Sequence, residues 1–305
     1  MDVFISHSSK DNETAERLEK ELEAAGLKVW ADFSDMPRGS LVDAKLLEAI
    51  RACDELLLLW SKAAGVSNWV AAEWLVSFHE GKLVIPFVLD STPLPQCLRK
   101  TAHVDMSWPM NRIVEEICRT ATGRKKAQTQ IVVPVRGPRS HELDQQIRKV
   151  IAAQTHILNT LQHGDLTTAR TRQNELDPEV ARMMTRWPHD TLVVTIEGYH
   201  HKNAYQIEHH AEIQAGIRPP DAVLDEAERC FFQALAIDPT DHAALNGMGN
   251  YRWFVCEFEA ADFFTQKAIE YGRKAGADFS SYEHDLRIIR RDLAANTGNN
   301  PRERG

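Results

Sequence analysis

The chain has 305 residues, and its 44 Asp and Glu outnumber its 36 Lys and Arg for a formal net charge of −8. That length suggests two domains, and the acidic balance argues against a duplex nucleic-acid partner, which needs a basic face. No window reaches the roughly 18 uninterrupted apolar residues of a membrane helix, and the opening MDVFIS lacks the basic and long apolar regions of a signal peptide. The five cysteines, Cys53, Cys97, Cys118, Cys230 and Cys256, are scattered without CxxC spacing. Such a set reads as reduced thiols, so a cytoplasmic protein is expected.

In chain order, the first 120 residues alternate strand and helix signals. Val3–Ile5 is a short buried strand, stopped by the polar run Ser6–Asn12. Thr14–Ala25 carries Leu18, Leu22 and Ala25 at helical spacing, and Gly26 ends it. Lys28–Trp30 is a second strand, in which Trp30 is read as packing. The loop to Gly39 holds the turn formers Asp32, Asp35, Pro37 and Gly39. Val42–Ala52 predicts a helix, Leu56–Trp60 a third strand, Asn68–His79 a third helix and Leu83–Leu89 a fourth strand. His103–Met106 reads as a short fifth strand and Asn111–Thr120 as a closing helix. Alternation of this kind implies a parallel sheet covered on both faces. A flavodoxin-like strand order is expected, with the site beside the first strand, where the order reverses.

The stretch SNWVAAEW, Ser67–Trp74, then stands out. It opens a helix between two apolar runs, just past the end of a parallel strand, where open α/β sheets place ligands. Trp69 and Glu73 are four residues apart and share a helix face, so an aromatic plate and a carboxylate would line one pocket wall.

Here a family resemblance becomes specific. DVFISHSSKD (Asp2–Asp11) resembles the first signature box of a TIR (Toll/interleukin-1 receptor) domain. Trp30–Phe33 followed by Asp35–Gly39 is similar to the family's BB loop. LLLLWSKAAGVSNWVAAEW (Leu56–Trp74) is similar to its third strand and following helix, and LVIPFVLD, LPQCLR and HVDMS match the usual tail. The resemblance implies one of two functions. Some TIR domains are adaptors that bind other TIR domains. Others cleave NAD at its nicotinamide glycosidic bond and carry a glutamate in a W-x-x-x-E-like context, which Trp69 and Glu73 match. By this likeness Glu73 is the expected catalytic residue of an NAD glycohydrolase, in bacteria a defence effector. NAD+ is then the substrate, with no cofactor and no metal. TIR–TIR assembly is implied to order the loop Asp35, Met36, Pro37, Arg38 and Gly39, giving a homo-oligomer. The rival reading is a non-catalytic adaptor in which Glu73 is a solvated helix acid.

One glutamate can suffice for this chemistry. Nicotinamide leaves a pyridinium as a neutral ring, so no acid is needed to protonate it, and half of the usual two-carboxylate requirement falls away. What remains is a ribosyl cation that a fixed carboxylate can stabilise. His7, Ser8, Phe33, Arg38 and Trp69 are the candidate substrate-binding residues: His7 and Ser8 for phosphate or ribose, Phe33 and Trp69 for a ring, Arg38 for a phosphate. The bland alternatives are loop capping for the polar pair, core packing for the aromatics and simple exposure for Arg38. No GxGxxG is present, so a Rossmann dehydrogenase is not expected.

The composition changes over 122–140, GRKKAQTQIVVPVRGPRS with its preceding Thr122, which is read as a linker between a domain at 1–121 and another at 141–296; 297–305 is read as a tail. From His141 the pattern is helical, with Gly164–Leu166 as a tight turn. Ala227, Phe231, Ala234 and Pro239 have an echo 34 residues on, carrying Ala227 to Ala261 and Ala234 to Ala268. This resembles the tetratricopeptide (TPR) repeat. Two departures stand out: Thr265 falls opposite Phe231, and Arg218–Pro220 interrupts a turn. The expected fold is thus an α/β flavodoxin-like domain followed by an all-α helical-hairpin domain, capped near Phe279–Leu293. Repeats of this kind usually bind a protein or ligand, which here would be a trigger. Glu197, His200, His201, Glu208, His209 and His210 cluster in one stretch, read as a polar face rather than a metal site.

Overall fold

A computed structural model describes residues 2–31, 44–99, 101, 103–105, 108–123 and 139–298. The chain divides into two compact units, Met1–Val133 and Pro134–Gly305. Among the described residues no helix is long and apolar enough to cross a membrane. All five cysteines are free thiols.

The first unit runs β1 (Asp2–Ser6), α1 (Asn12–Ala24), β2 (Lys28–Ala31), α2 (Ala44–Ala52), β3 (Glu55–Trp60), α3 (Asn68–His79), β4 (Leu83–Val88), β5 (Val104–Asp105) and α4 (Met110–Gly123). The five strands form one sheet in the order β2-β1-β3-β4-β5. Every pairing is parallel. This is the flavodoxin-like order, and its switch point lies between β1 and β3.

The strand sequences follow from their positions. All six residues of β3 are buried, because helices cover both faces of a central parallel strand. One face of the sheet packs Val3, Ile5, Leu57 and Phe87 against Leu18 and Leu22 of α1. The edge strand β2 is different. Trp30, expected to pack, is 42% exposed, and the Lys28 ammonium lies 4.9 Å from its ring centroid. At an edge one flank has no neighbouring strand, and the indole body is covered by a lysine stem instead of a core. After α1 the chain turns through Gly26 at φ +86°, a conformation L side chains rarely adopt.

The described residues of the second unit form helices only: α5 (His141–Gln162), α6 (Leu166–Arg186), α7 (Thr191–Glu208), α8 (His210–Gln214), α9 (Ala222–Ile237), α10 (His242–Phe254), α11 (Phe258–Ala275) and α12 (Ser280–Gly298). Helices α5 and α6, α7 and α9, and α10 and α11 pack as hairpins, and α12 closes on α11. Ala227, Ala234, Ala261 and Ala268 are all fully buried, as repeat positions that admit close helix approach should be.

The place of Thr265 opposite Phe231 has a steric cause. The Phe231 ring fills the space that side chains at Gly198 and Gly247 would need. Thr265 takes the matching place against Gly249. Thus Gly198 pairs with Phe231 across 33 positions, and Gly249 with Thr265 across 16. The connection from α7 to α9, which holds α8 and Arg218–Pro220, is longer than that from α10 to α11.

Candidate functional site

The helix α3 begins at Ser67, whose hydroxyl accepts from the Val70 N–H, so the helix start is fixed by an N-cap. Eight residues of α3 are buried, among them Glu73 at 1% exposure. A carboxylate so placed needs donors. The Trp69 indole Nε1–H donates to Glu73 Oε1 at 2.7 Å, and Ser6 Oγ donates to Oε2 at 2.5 Å. Ser6 is the last residue of β1 and is fully buried. The strand end and the first turn of the helix therefore grip one carboxylate from two directions. Hydrogen bonds to an ionised group are the strong ones, and two of them fix the orientation of the carboxylate plane.

The loops around it are tied together as well. Ser61, just past β3, donates to Asp11 Oδ2 at 2.6 Å and accepts from the Ala64 N–H at 3.1 Å. His7, 6% exposed, has Nε2 at 3.0 Å from Asn12 Oδ1 at the start of α1. Ser8 accepts from the Lys10 N–H at 3.4 Å, capping the single 3-10 turn Ser9–Asp11.

These placements sort the sequence candidates. Trp69 and Glu73 do share a face, and the indole edge N–H holds the acid. His7 lies at the carboxyl end of β1 as expected. Ser8 performs the capping role given as its bland alternative. Phe33 and the BB loop, Asp35, Met36, Pro37, Arg38 and Gly39, lie outside the described residues.

Ser6, Asp11 and Ser61 were missed. A signal for Ser6 existed: side chains alternate along a strand, Val3 and Ile5 face α1 and α4, so residue 6 faces the opposite layer, where α3 lies. In the sequence alone Ser6 opens the polar run Ser6–Asn12.

In the second unit the histidine stretch ties helices together. His200 Nε2 is 2.7 Å from Asp177 Oδ1, and its carbonyl accepts from Gln173 Nε2 at 2.9 Å. Burial lowers the His200 pKa, and Asp177 opposes that shift. His209 Nε2 is 2.8 Å from Asp221 Oδ2, linking the end of α7 to the cap of α9. Glu197 Oε2 accepts from the Cys230 thiol at 3.5 Å. Among the described residues no group of three or more His, Cys, Asp or Glu side chains is arranged to hold a metal ion.

No curated protein and no solved structure matches the chain in the comparisons. The family model described as "TIR domain" matches residues 3–118. Together with the parallel sheet and its strand order, that match makes the first unit of this chain a TIR domain.

Proposed function

We propose that the chain is an NAD+ nucleosidase, with Glu73 as the residue that stabilises the ribosyl cation. The observation that carries this reading is the paired grip on Glu73, with Ser6 and Trp69 each donating to a different carboxylate oxygen. In the reaction the bond between ribose C1′ and the nicotinamide nitrogen breaks, and its electron pair stays on the ring, which leaves neutral. The cation left behind is captured by water, which gives up a proton and yields ADP-ribose, or by a nucleophile of the substrate itself, yielding a cyclic isomer. Glu73 acts on charge that develops only in the transition state, and a pre-oriented carboxylate needs no reorganisation at that moment. NAD+ is the substrate and no cofactor takes part. TIR domains commonly self-associate, and in this reading contact through Asp35–Gly39 completes the pocket while the helical unit controls assembly.

The test is NAD+ turnover by the full chain and by Glu73→Gln, across protein concentrations that span assembly. The variant should lose about 10²- to 10³-fold in turnover, the usual effect of removing one transition-state electrostatic partner, with an unchanged Tm. Wild-type protein that stays silent when forced to assemble overturns the proposal. The adaptor reading expected a solvated Glu73, but Glu73 is 1% exposed with both oxygens hydrogen-bonded, so as an adaptor the chain would keep it as a buried structural acid. In that case Glu73→Gln leaves TIR–TIR association intact, and no turnover exists to lose.

A further inference from the structure

The candidate site lies where the strand order reverses between β1 and β3, and two loops leave the sheet there, His7–Asp11 after β1 and Ser61–Ser67 after β3. The second loop carries the chain into α3, so its position sets the first turn of the helix that holds Glu73. Its side chains have little to pack against. Of its seven residues only Ser61 and Ala64 are buried, at 5% and 2% exposure, and Val66 near its end is 82% exposed. Apolar burial therefore does little to place this loop, and hydrogen bonds must.

Those bonds form a continuous path. The Asp11 N–H donates to the Ser8 carbonyl at 2.7 Å, which fixes the turn that presents its carboxylate. Asp11 Oδ2 accepts from Ser61 Oγ at 2.6 Å, a length usual for a hydroxyl on a carboxylate. The Ser61 hydroxyl oxygen accepts in turn from the Ala64 N–H at 3.1 Å. The Ala64 carbonyl accepts from the Ser67 N–H at 3.1 Å, and Ser67 Oγ accepts from the Val70 N–H at 3.3 Å. The path ends in the first turn of α3, where Trp69 Nε1–H donates to Glu73 Oε1 at 2.7 Å. On the other flank of the loop the exposed Asp90 accepts through Oδ2 from the Lys62 N–H at 2.9 Å, away from this path.

A hydroxyl that donates to a carboxylate is a better acceptor for the next N–H, because each bond in a chain polarises its neighbour. The carboxylate at the head of the path thus strengthens the bonds beyond it. We infer that Asp11 is a positioning residue for Glu73. Through Ser61 it holds the Ser61–Ser67 loop, and through that loop it holds the turn of α3 from which Trp69 orients the acid. Asp11 acts here through Ser61 and not on the substrate. Without it the first turn of α3 loosens and the indole leaves Oε1. Ser6 then remains on Oε2, and the carboxylate plane can turn about that bond. A small misplacement of a reacting group is costly in rate. The inference rests on the NAD+ reading for its rate alone, since the contact between Trp69 and Glu73 is measured without substrate.

The test reads the indole directly. The chain has 7 tryptophans, so the ¹⁵N-labelled full chain gives as many indole N–H resonances. Trp69→Phe identifies the one from Trp69, which the carboxylate shifts downfield. Asp11→Ala and Ser61→Ala should each move that resonance upfield and lower kcat for NAD+ about tenfold, with KM changing less. Either variant serves if the other does not fold. Combining them should be no worse than either alone, since both break one path. Asp11→Asn, which keeps an oxygen for Ser61, should restore most of the shift and the rate. Asp90→Ala should leave both at their wild-type values. A Trp69 resonance that stays in place in the alanine variants overturns the inference, as does one that Asp90→Ala moves equally far. So does a kcat that holds while the resonance moves. Wild-type protein without turnover would sink the NAD+ reading alone, and the resonance would still decide whether Asp11 places Trp69.

Discussion

The two units bury charge in opposite ways. In the TIR unit the Glu73 carboxylate accepts from two neutral donors, a hydroxyl at 2.5 Å and an indole N–H at 2.7 Å. In the helical unit the fully buried Arg252 is clasped by two carboxylates, Glu228 at 2.5 Å and Glu257 at 2.9 Å. Two neutral donors fix the orientation of the Glu73 carboxylate plane. At Arg252 a cation is enclosed by opposite charge, with two carboxylates against one guanidinium in a fully buried ion-pair cluster. The contrast separates a candidate site from a structural fastening by the chemistry of the partners, since burial is nearly the same for both.

The sharpest way to test this contrast is to remove the cation. Arg252→Met removes the guanidinium from between the buried Glu228 and Glu257. Breaking a buried pair in this way costs about 3–5 kcal/mol, so the chemical-denaturation midpoint of the helical unit should fall accordingly. Neutralising all three, as Arg252→Met with Glu228→Gln and Glu257→Gln, should recover most of the loss. A triple variant as unstable as the single one would show that the guanidinium acts through packing, and the contrast would fail.

The TIR unit contains its own counter-example in Glu55, which opens β3 at the end of the sheet opposite Ser6. It is 2% exposed, and its Oε1 has no hydrogen-bond partner. Burial, with Asp54 adding repulsion, raises its pKa from an ordinary 4.5 to about 7. The folded state therefore holds this proton more tightly than the unfolded chain. Stability is greatest below the unfolded value and declines as pH rises through the window from about 4.5 to about 7, by an amount of order 3 kcal/mol. Glu55→Gln should flatten that decline, raising the urea midpoint at pH 8 while leaving it near wild type at pH 4.5. An equal midpoint shift at both pH values would assign the effect to packing.

How far the sequence reveals these arrangements depends on how local their causes are. Helix α3 spans the residues predicted, Asn68–His79, because its N-cap at Ser67 and its apolar flanks are neighbours in sequence. The strand order was equally legible, since alternating strands and helices leave few packings open. The grip of Ser6 on Glu73 joins positions 67 apart, and no single-chain periodicity reports it. The same limit applies to Phe231, whose partners Gly198 and Gly247 lie on two other helices. The 34-residue register marks the position without explaining its occupant. Gly247→Ala would drive a methyl into the Phe231 ring, and overpacking of this kind costs about 1–3 kcal/mol. Adding Phe231→Leu should relieve part of it. Thermal melts of the two variants measure the coupling, and purely additive losses would show that the ring and the glycine do not meet.

Loss of one donor to Glu73 tests the opening contrast most directly. Ser6→Ala removes the donor to Glu73 Oε2 and leaves Trp69 on Oε1. If Ser6 only satisfies a buried acid, the variant should melt lower by the cost of one unmet charged acceptor, about 1.5–3 kcal/mol, and any NAD+ turnover should persist among the molecules that remain folded. If Ser6 aims the carboxylate, turnover should fall about tenfold, equivalent to about 1.4 kcal/mol of barrier, with KM nearly unchanged. Ser6→Thr, which keeps the hydroxyl, should then restore the rate. The two outcomes separate because stability registers whether the carboxylate oxygen is hydrogen-bonded, whereas the rate registers where that oxygen points.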